Sequence, residues 1–206
     1  MIQMKYRDIY FIWMILCVFA MMLTGCAGSK PSKFYLLHSI TTSEDGVSTP
    51  ADTGGPSILI GPVTLPAYLD RNQIVKLVGN HELVLNDFTR WAEPLQDNFY
   101  RVLTENLSLL LNTPKVYAFD RRGSTPADFQ IVIDVTRFDT TVGGDAYLTA
   151  FWAVVGKDDS AYLMQKKSVY HAKASSTGLT GMVDAQNRTL AEFSREIATA
   201  IQSLYP

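Results

Sequence analysis

The residues suited to acid–base or metal chemistry are few and far apart. The three histidines are His38, His81 and His171, and none has a second histidine or a cysteine at the spacing of a metal-ligand pair. Neighbouring carboxylates occur at Glu44-Asp45 and Asp158-Asp159, in polar segments typical of turns, which favours solvation over catalysis. The sequence contains no nucleophile elbow, phosphate-binding glycine loop or His-Glu-x-x-His motif. We therefore expect a protein that is not an enzyme and that holds no metal ion and no cofactor.

Cys26 has the most specific chemical context of any residue in the chain. Lys5 and Arg7 are followed by an apolar run, Ile9 to Leu23, that carries no charge. A basic start, an apolar stretch and a small-residue ending describe a secretory signal peptide. The ending Leu-Thr-Gly-Cys resembles the bacterial lipobox, in which the cysteine thiol carries a diacylglycerol. We predict that residues 1–25 form a lipoprotein signal peptide. The alternative is an uncleaved anchor helix in which Cys26 is incidental.

Acylation of Cys26 would determine where the protein works. A bacterial lipoprotein cysteine carries a diacylglyceryl group and an N-linked acyl chain such as palmitate, and two chains already give stable anchoring. The next residue, Ala27, resembles lipoproteins sorted to the outer membrane. We predict a lipid-anchored protein of the outer membrane that faces the periplasm, with residues 26–33 as a short tether. Cys17 lies in the discarded segment, so the mature chain would carry neither a free thiol nor a disulfide.

Aromatic and arginine residues in predicted turns form a second group with functional potential. They are Tyr68, Leu69, Asp70 and Arg71, which precede a predicted hairpin, and Arg90 and Trp91, which precede the first predicted helix. Tyrosine, tryptophan and arginine supply much of the binding energy at protein interfaces. We therefore predict a partner interface at these six residues. The alternative is local packing, in which Trp91 folds over the helix start and Arg90 stacks on it.

Length and composition indicate one domain of moderate size. The chain has 206 residues, of which 47% are hydrophobic and 18% are charged, and this balance is too apolar for a disordered protein. The formal net charge is −2 and there is no long run of basic residues, which argues against nucleic-acid binding. We predict a single periplasmic domain over residues 34–206.

Hydrophobic periodicity predicts the strands that position the candidate residues. They are Phe34–Ile40, Ile58–Leu65, a hairpin of Gln73–Val78 with Glu82–Asn86, Val116–Phe119, Phe129–Thr136, Ala146–Val155 and Met164–Ala174. Gly61-Pro62 indicates that its strand lies at an edge or contains a bulge, because proline cannot donate to a strand ladder. Residues 41–57 are polar and typical of a long loop.

Two amphipathic helices complete the prediction. One is opened by Trp91-Ala92-Glu93-Pro94, runs from Leu95 and ends before Pro114, and the other begins near Asp184. The order of elements predicts an α+β fold, an α/β sandwich in which a mainly antiparallel sheet has both helices packed on one face.

The candidate segments also resemble a known family. They are Phe34-Tyr35-Leu36-Leu37, the strand Ile58–Leu65, Leu65–Val75 and Arg90–Leu95. In that order they are similar to the ABC-type transport auxiliary lipoprotein family, and the resemblance covers essentially the whole mature chain. Its most specific parts are Leu-Pro-Ala-Tyr-Leu-Asp-Arg, which ends at Arg71, and Arg-Trp-Ala-Glu-Pro-Leu, which begins at Arg90.

The resemblance implies a non-enzymatic function at the outer membrane. Its members work with a mammalian-cell-entry (MCE) domain protein of the inner membrane, which forms a hollow conduit for lipids and supports envelope integrity. The lipoprotein would dock the far end of that conduit, and a homo-oligomeric ring would match the ring shape of an MCE protein. Two other functions are left open. A periplasmic carrier would itself enclose an acyl chain between sheet and helices, and an envelope hydrolase would assemble a triad from distant residues.

Overall fold

The computed structural model describes residues 6–23, 31–40, 54–79, 81–119, 126–157 and 162–205. The chain divides into two compact units, Met1–Pro31 and Ser32–Pro206. The first unit contains helix α1, Tyr6–Leu23, which covers the apolar run predicted as the centre of the signal peptide. Cys26 and most of the predicted loop over residues 41–57 lie outside the described residues.

The described part of the second unit forms nine strands, one 3₁₀ helix and two α-helices. The strands are β1 (Lys33–Tyr35), β2 (Ile58–Thr64), β3 (Lys76–Val78), β4 (Glu82–Val84), β5 (Thr89–Trp91), β6 (Val116–Ala118), β7 (Phe129–Thr141), β8 (Ala146–Gly156) and β9 (Tyr162–Ala172). The 3₁₀ helix spans Ala67–Leu69, and the α-helices are α2 (Leu95–Leu110) and α3 (Leu179–Leu204).

Strand β7 is the centre of a mixed seven-stranded sheet. Strand β8 pairs with it antiparallel from Phe129 to Thr140, and β9 pairs antiparallel with β8. Two strands pair parallel with the opposite edge of β7, β2 near its start and β3 at its end. Strand β6 then adds to β2 in parallel, and β4 adds to β3 as the predicted hairpin. The predicted α+β class is confirmed, and the parallel pairs make the sheet mixed.

Of the two predictions for β2, an edge strand or a bulge, the structure has the bulge, at Gly61-Pro62. The register of β2 against β7 shifts between Ile60 and Val63, and the Gly61-Pro62 peptide bond is cis. Strand β6 pairs with β2 only as far as Ile60. Pro62 therefore lies beyond the pairs that β6 forms, where its missing N–H costs no hydrogen bond to that strand.

Both helices pack on one face of the sheet and enclose a closely filled core. Phe99 of α2 meets Phe138 of β7 edge to face, with ring centroids 5.4 Å apart. Phe193 of α3 meets Trp152 of β8 in the same way, at 6.1 Å. The helices are joined to each other by a buried hydrogen bond of 2.9 Å from Asn106 Nδ2 to Ser194 Oγ. The space between helices and sheet is thus occupied by packed side chains.

A polar cluster joins α3 to the outer strands. The Glu196 carboxylate accepts hydrogen bonds from Ser168 Oγ and, at 2.6 Å, from Tyr170 OH, while Trp152 Nε1 donates to Ser168 Oγ at 2.9 Å. Burial alone would raise the pKa of Glu196, but these hydrogen bonds and the nearby Lys166 ammonium outweigh it and hold the pKa below its usual value. Burial and the bond to Glu196 raise the pKa of Tyr170, so its hydroxyl remains a neutral donor.

Strands β1 and β5 form a separate parallel pair beside the main sheet. Phe34 lies opposite Arg90, and Tyr35 lies opposite Trp91. On its other side, β5 meets residues 72–74, because Trp91 N donates to Asn72 O at 2.7 Å. Trp91 therefore belongs to a strand that was not predicted, while α2 begins at Leu95 as predicted. The partners of this strand lie far along the chain, so local sequence gives no sign of it.

Three element boundaries also differ from the predicted ones. Helix α3 begins at Leu179, directly after Gly178 with φ of 94°, and Asp184 lies inside the helix and does not cap it. Strand β7 continues past Thr136 to Thr141. The prediction ended too early because a register shift after Val135 interrupts the alternation of apolar and polar residues. Strand β1 ends at Tyr35, and the chain to residue 40 is irregular.

Candidate functional site

The segment after β2 folds into consecutive turns that place neighbouring side chains on opposite sides. Leu69 N donates to Pro66 O at 2.9 Å, and Arg71 N donates to Leu69 O at 2.8 Å. Leu69 points into the core and is only 4% exposed, whereas Asp70 and Arg71 are exposed. The apolar residue thus holds the turn against the core and leaves the two charged side chains at the surface.

The segment that begins at Arg90 lies directly beside this turn. Besides the hydrogen bond from Trp91 N to Asn72 O, Ile74 N donates to Thr89 O at 3.2 Å. The chain then passes through Pro94 into α2, where Gln96 Nε2 donates to Val63 O at 2.8 Å and so joins the helix start to the end of β2. The two segments that the sequence singled out are therefore brought together by backbone and side-chain hydrogen bonds.

A surface pocket of about 530 Å³ lies between the two segments. We call it the turn pocket. Its lining consists of Leu65, Ala67, Leu69, Asp70, Arg71, Asn72, Pro94, Leu95 and Gln96. Apolar side chains therefore combine with one carboxylate, one guanidinium and two carboxamides. Such a set can seat an apolar side chain of a polypeptide and hydrogen-bond the backbone around it.

Tyr68 anchors the turn pocket to the main sheet. Its hydroxyl donates to Asp139 Oδ2 at 2.8 Å, and Arg137 Nε donates to Asp139 Oδ1 at 3.0 Å. Burial is the main cause that raises the pKa of Tyr68, and the hydrogen bond to Asp139 is the second. The phenol therefore stays protonated at physiological pH. The Arg137 guanidinium also lies over the Tyr147 ring, 3.9 Å from its centroid. The half-buried Tyr68 side chain is thus fixed by a polar network on β7.

The six residues predicted at an interface differ in their exposure. Trp91 is 4% exposed, like Leu69, so the structure favours the packing interpretation for both side chains. Arg90 is half-buried, and its Nε donates to Asp87 O at 2.8 Å. Asp70 and Arg71 are the two of the six whose side chains are fully available to a partner.

The histidines lie in three separate places. His171 of β9 stacks on Tyr147, with centroids 4.6 Å apart, and its Nε2 lies 3.5 Å from Asp145 Oδ2. His38 Nε2 is 4.0 Å from Asp184 Oδ1, and His81 is in the turn between β3 and β4. Within the described ranges, no three metal-ligating side chains come together in a group that could hold a metal ion.

A groove beside α3 was not predicted from the sequence. Its volume is about 640 Å³, and residues 38–40 form one side of it. His38 N donates to Asn187 Oδ1 at 3.1 Å there, and Asp184 and Arg188 also line the groove. These residues are far apart in the chain, and polar side chains on a helix surface look alike whether or not they border a groove.

None of the helices in the described part of the chain is both long and apolar enough to span a bilayer. The lipidation predicted at Cys26 lies outside the described residues and stays a prediction.

Comparison with known proteins gives consistent results. Residues 35–198 match the family described as the ABC-type transport auxiliary lipoprotein component. The chain is 26% identical over 140 residues to the intermembrane transport lipoprotein PqiC of Escherichia coli, an alignment that covers 68% of this chain and 72% of that relative. PqiC of Shigella flexneri gives the same values.

Two solved structures share the fold. A crystal structure of an uncharacterized protein has a TM-score of 0.65 at 20% identity, covering 84% of this chain and 99% of the other. A protein of Xanthomonas campestris has a TM-score of 0.59 at 16% identity, covering 84% and 93%. At these identities the likeness concerns the fold alone.

Proposed function

Because this chain belongs to the ABC-type transport auxiliary lipoprotein component family, we propose that it docks one end of an intermembrane lipid-transport system at the outer membrane. The family consists of auxiliary transport lipoproteins and is not an enzyme family, so a role in intermembrane transport requires no catalytic centre. The observation that carries the docking proposal is the turn pocket. The two segments most specific to the family converge on it. Their buried leucines, Leu69 and Leu95, hold the backbone against the core. The charged side chains of Asp70 and Arg71 are exposed.

The partner in this proposal is an MCE-domain protein of the inner membrane, similar to PqiB. Asp70 and Arg71 would pair with polar groups on that protein, while Tyr68, Leu69, Arg90 and Trp91 keep the turn in position. A homo-oligomeric ring of the lipoprotein would present several copies of the pocket to the ring-shaped end of the conduit. The support for a protein partner is the mixture of apolar and charged lining, which suits a polypeptide surface.

The membrane attachment in this proposal depends on Cys26. Residues 1–25 are removed, Cys26 is acylated, and residues 26–33 connect it to the domain that begins at Phe34. Phe34 lies eight positions after Cys26, and eight Cα-to-Cα steps span at most about 28 Å. The domain would therefore remain close to the periplasmic surface of the outer membrane.

The attachment is tested by Cys26→Ser, with Cys17→Ser as the matched control. We expect Cys26→Ser to lack acyl chains by mass spectrometry and to be lost from the outer-membrane fraction, because the thiol at the end of the Leu-Thr-Gly-Cys motif is missing. Cys17→Ser alters a cysteine of the discarded segment and should stay in that fraction. An acyl-free Cys26 in the wild-type protein, with residues 1–25 still present, would refute the attachment.

The docking surface is tested by capture of the MCE partner from detergent-solubilised envelopes. We expect the double variant Asp70→Ala, Arg71→Ala to reduce capture at least about tenfold, as loss of interface side chains worth more than 1.4 kcal/mol would do. The control is Arg195→Ala, an exposed arginine on α3. Equal capture by the two variants would show that the turn pocket is not the docking surface.

A further inference from the structure

The parallel pair β1–β5 has two faces of opposite character. Tyr35, Leu37, Thr89 and Trp91 point toward the core, and the last three of these are buried. Because side chains alternate along a strand, Phe34 and Arg90 lie on the other face. Leu36 directly follows β1 and Phe88 directly precedes β5, and both side chains are exposed. The pairing supports this, since Phe34 lies opposite Arg90 and Ala92 N donates to Tyr35 O at 2.9 Å.

The outward face of this pair is apolar and accessible. Phe34 is 64% exposed, Leu36 is 48% exposed and Phe88 is 41% exposed. Lys33 N donates to Phe88 O at 2.7 Å, so the strand that carries Phe34 runs directly beside Phe88. We call Phe34, Leu36 and Phe88 the tether-root patch, because they surround the point where the chain leaves its predicted tether. A cluster of exposed large apolar side chains indicates a binding surface.

The length of chain before the patch determines what can cover it. Phe34 follows acylated Cys26 by eight residues, so the patch stays within about 28 Å of the bilayer surface, and a bent tether brings it closer. We propose that the tether-root patch inserts into the lipid–water interface of the membrane that holds Cys26. The patch would thereby fix the orientation of the domain on the membrane. This inference rests on the acylation of Cys26 proposed above.

The polar surroundings of the patch suit a phospholipid surface. Lys33 is exposed at the start of β1. Arg90 lies on the outward face between Phe34 and Gln73; it is half-buried and its Nε is held by Asp87 O, which leaves its terminal guanidinium nitrogens toward the surface. Cations beside exposed aromatic and aliphatic side chains are typical of segments that lie in a membrane interface, where the ammonium or guanidinium reaches the phosphates. The turn pocket begins one residue from Gln73, at Asn72, so membrane contact and partner docking would occupy neighbouring surfaces.

The test uses the full lipoprotein, acylated at Cys26 and reconstituted into vesicles of phosphatidylethanolamine with a minority of phosphatidylglycerol. The mature chain would have no other thiol, so Phe34→Cys, Leu36→Cys and Val169→Cys each introduce one labelling site for an environment-sensitive dye. Val169 of β9 is 63% exposed and serves as the matched control. The vesicles carry lipids with a nitroxide on the upper acyl chain, which quenches only a dye that enters the interface. Circular dichroism checks that each variant is folded.

We expect several-fold stronger quenching at positions 34 and 36 than at position 169. Equal, weak quenching at all three positions in vesicle-bound protein would overturn the inference while leaving the acyl anchor intact. A dye at position 34 that is shielded only after an MCE partner is added would also overturn it and assign the patch to a protein interface. Protein that fails to float with the vesicles and lacks acyl chains would overturn both this inference and the proposed attachment.

Discussion

Leu69 and Asp70 are neighbours in the sequence, yet only Asp70 reaches solvent. Two other neighbours differ in exposure in the same way, since Trp91 is buried and Arg90 is half-buried. At the scale of the residue, the segments that characterise this family therefore contain both structural anchors and available side chains. Residue type alone does not distinguish the two, because tryptophan and leucine occur both in cores and at interfaces.

Tyr68 is expected to act as an anchor of the turn. Tyr68→Phe removes the hydrogen bond to Asp139, a nearly buried carboxylate, and should lower the free energy of unfolding by about 1 to 2 kcal/mol. Urea denaturation measures this, with Tyr117→Phe on β6 as a control for the loss of an exposed phenol. An unchanged unfolding midpoint for Tyr68→Phe would show that the bond to Asp139 contributes no stability.

Glu196 predicts a dependence of stability on pH. Its pKa in the folded protein lies below its usual value, so the ionised carboxylate stabilises the fold above the pKa of a free glutamate, about 4.3. That stabilisation is lost as the pH falls through the folded pKa. Glu196→Gln should cost about 1 kcal/mol at pH 7, and its urea midpoint should approach that of the wild type in acid. A difference between the urea midpoints of Glu196→Gln and the wild type that stays constant at every pH would contradict this explanation.

At the scale of the element, β2 is held in place where its backbone at Gly61 closely approaches the side chains of Phe119 and Tyr100. Gly61 in β2 has φ of 124°, and a Cβ placed there would lie 2.6 Å from Phe119 Cβ and 2.7 Å from Tyr100 OH. Val63 N donates to the same Tyr100 hydroxyl at 2.6 Å. The bulge in β2 is thus locked between α2 and the segment after β6, and it determines where the turn pocket begins.

Gly61→Ala is therefore expected to destabilise the protein by about 2 to 4 kcal/mol, through backbone strain and steric overlap together. Gly79→Ala is the matched control, because Gly79 also has a positive φ, 57°, but nothing lies within 4 Å of its Cβ position. The control should lose only about 1 to 2 kcal/mol. Thermal or urea unfolding of both variants measures the difference, and equal losses would remove the steric part of the explanation.

At the scale of the molecule, the described part of the unit Ser32–Pro206 has two helices on one face of its main sheet, with packed side chains between them. Phe99, Phe138, Phe193 and Trp152 interlock where an acyl chain would need room. A domain packed in this way suits an adaptor between a membrane and a protein better than a carrier that encloses a lipid. The two proposed surfaces then lie outside the core, at the turn pocket and at the tether-root patch.

Native mass spectrometry of the detergent-released lipoprotein distinguishes an adaptor from a carrier that encloses a lipid. We expect each subunit to carry only the mass of its own acyl chains, because packed side chains occupy the space between the helices and the sheet in the described residues. The same spectrum reports the number of subunits and so tests the proposed ring. A phospholipid that remains bound in a fixed ratio after activation would favour the carrier function.

The sequence by itself determined the fold class, the two amphipathic helices, the β3–β4 hairpin and the interruption of β2 at Gly61-Pro62, because each depends on local periodicity or backbone restriction. It also determined the family, since Leu65–Arg71 and Arg90–Leu95 are short contiguous sequence motifs. Only the tertiary structure decided that these two segments meet at one pocket, that Trp91 is buried in a strand, and that Phe34 and Leu36 remain on an open face. Those facts depend on parallel pairing between residues far apart in the chain, and no local pattern encodes the partner of such a strand.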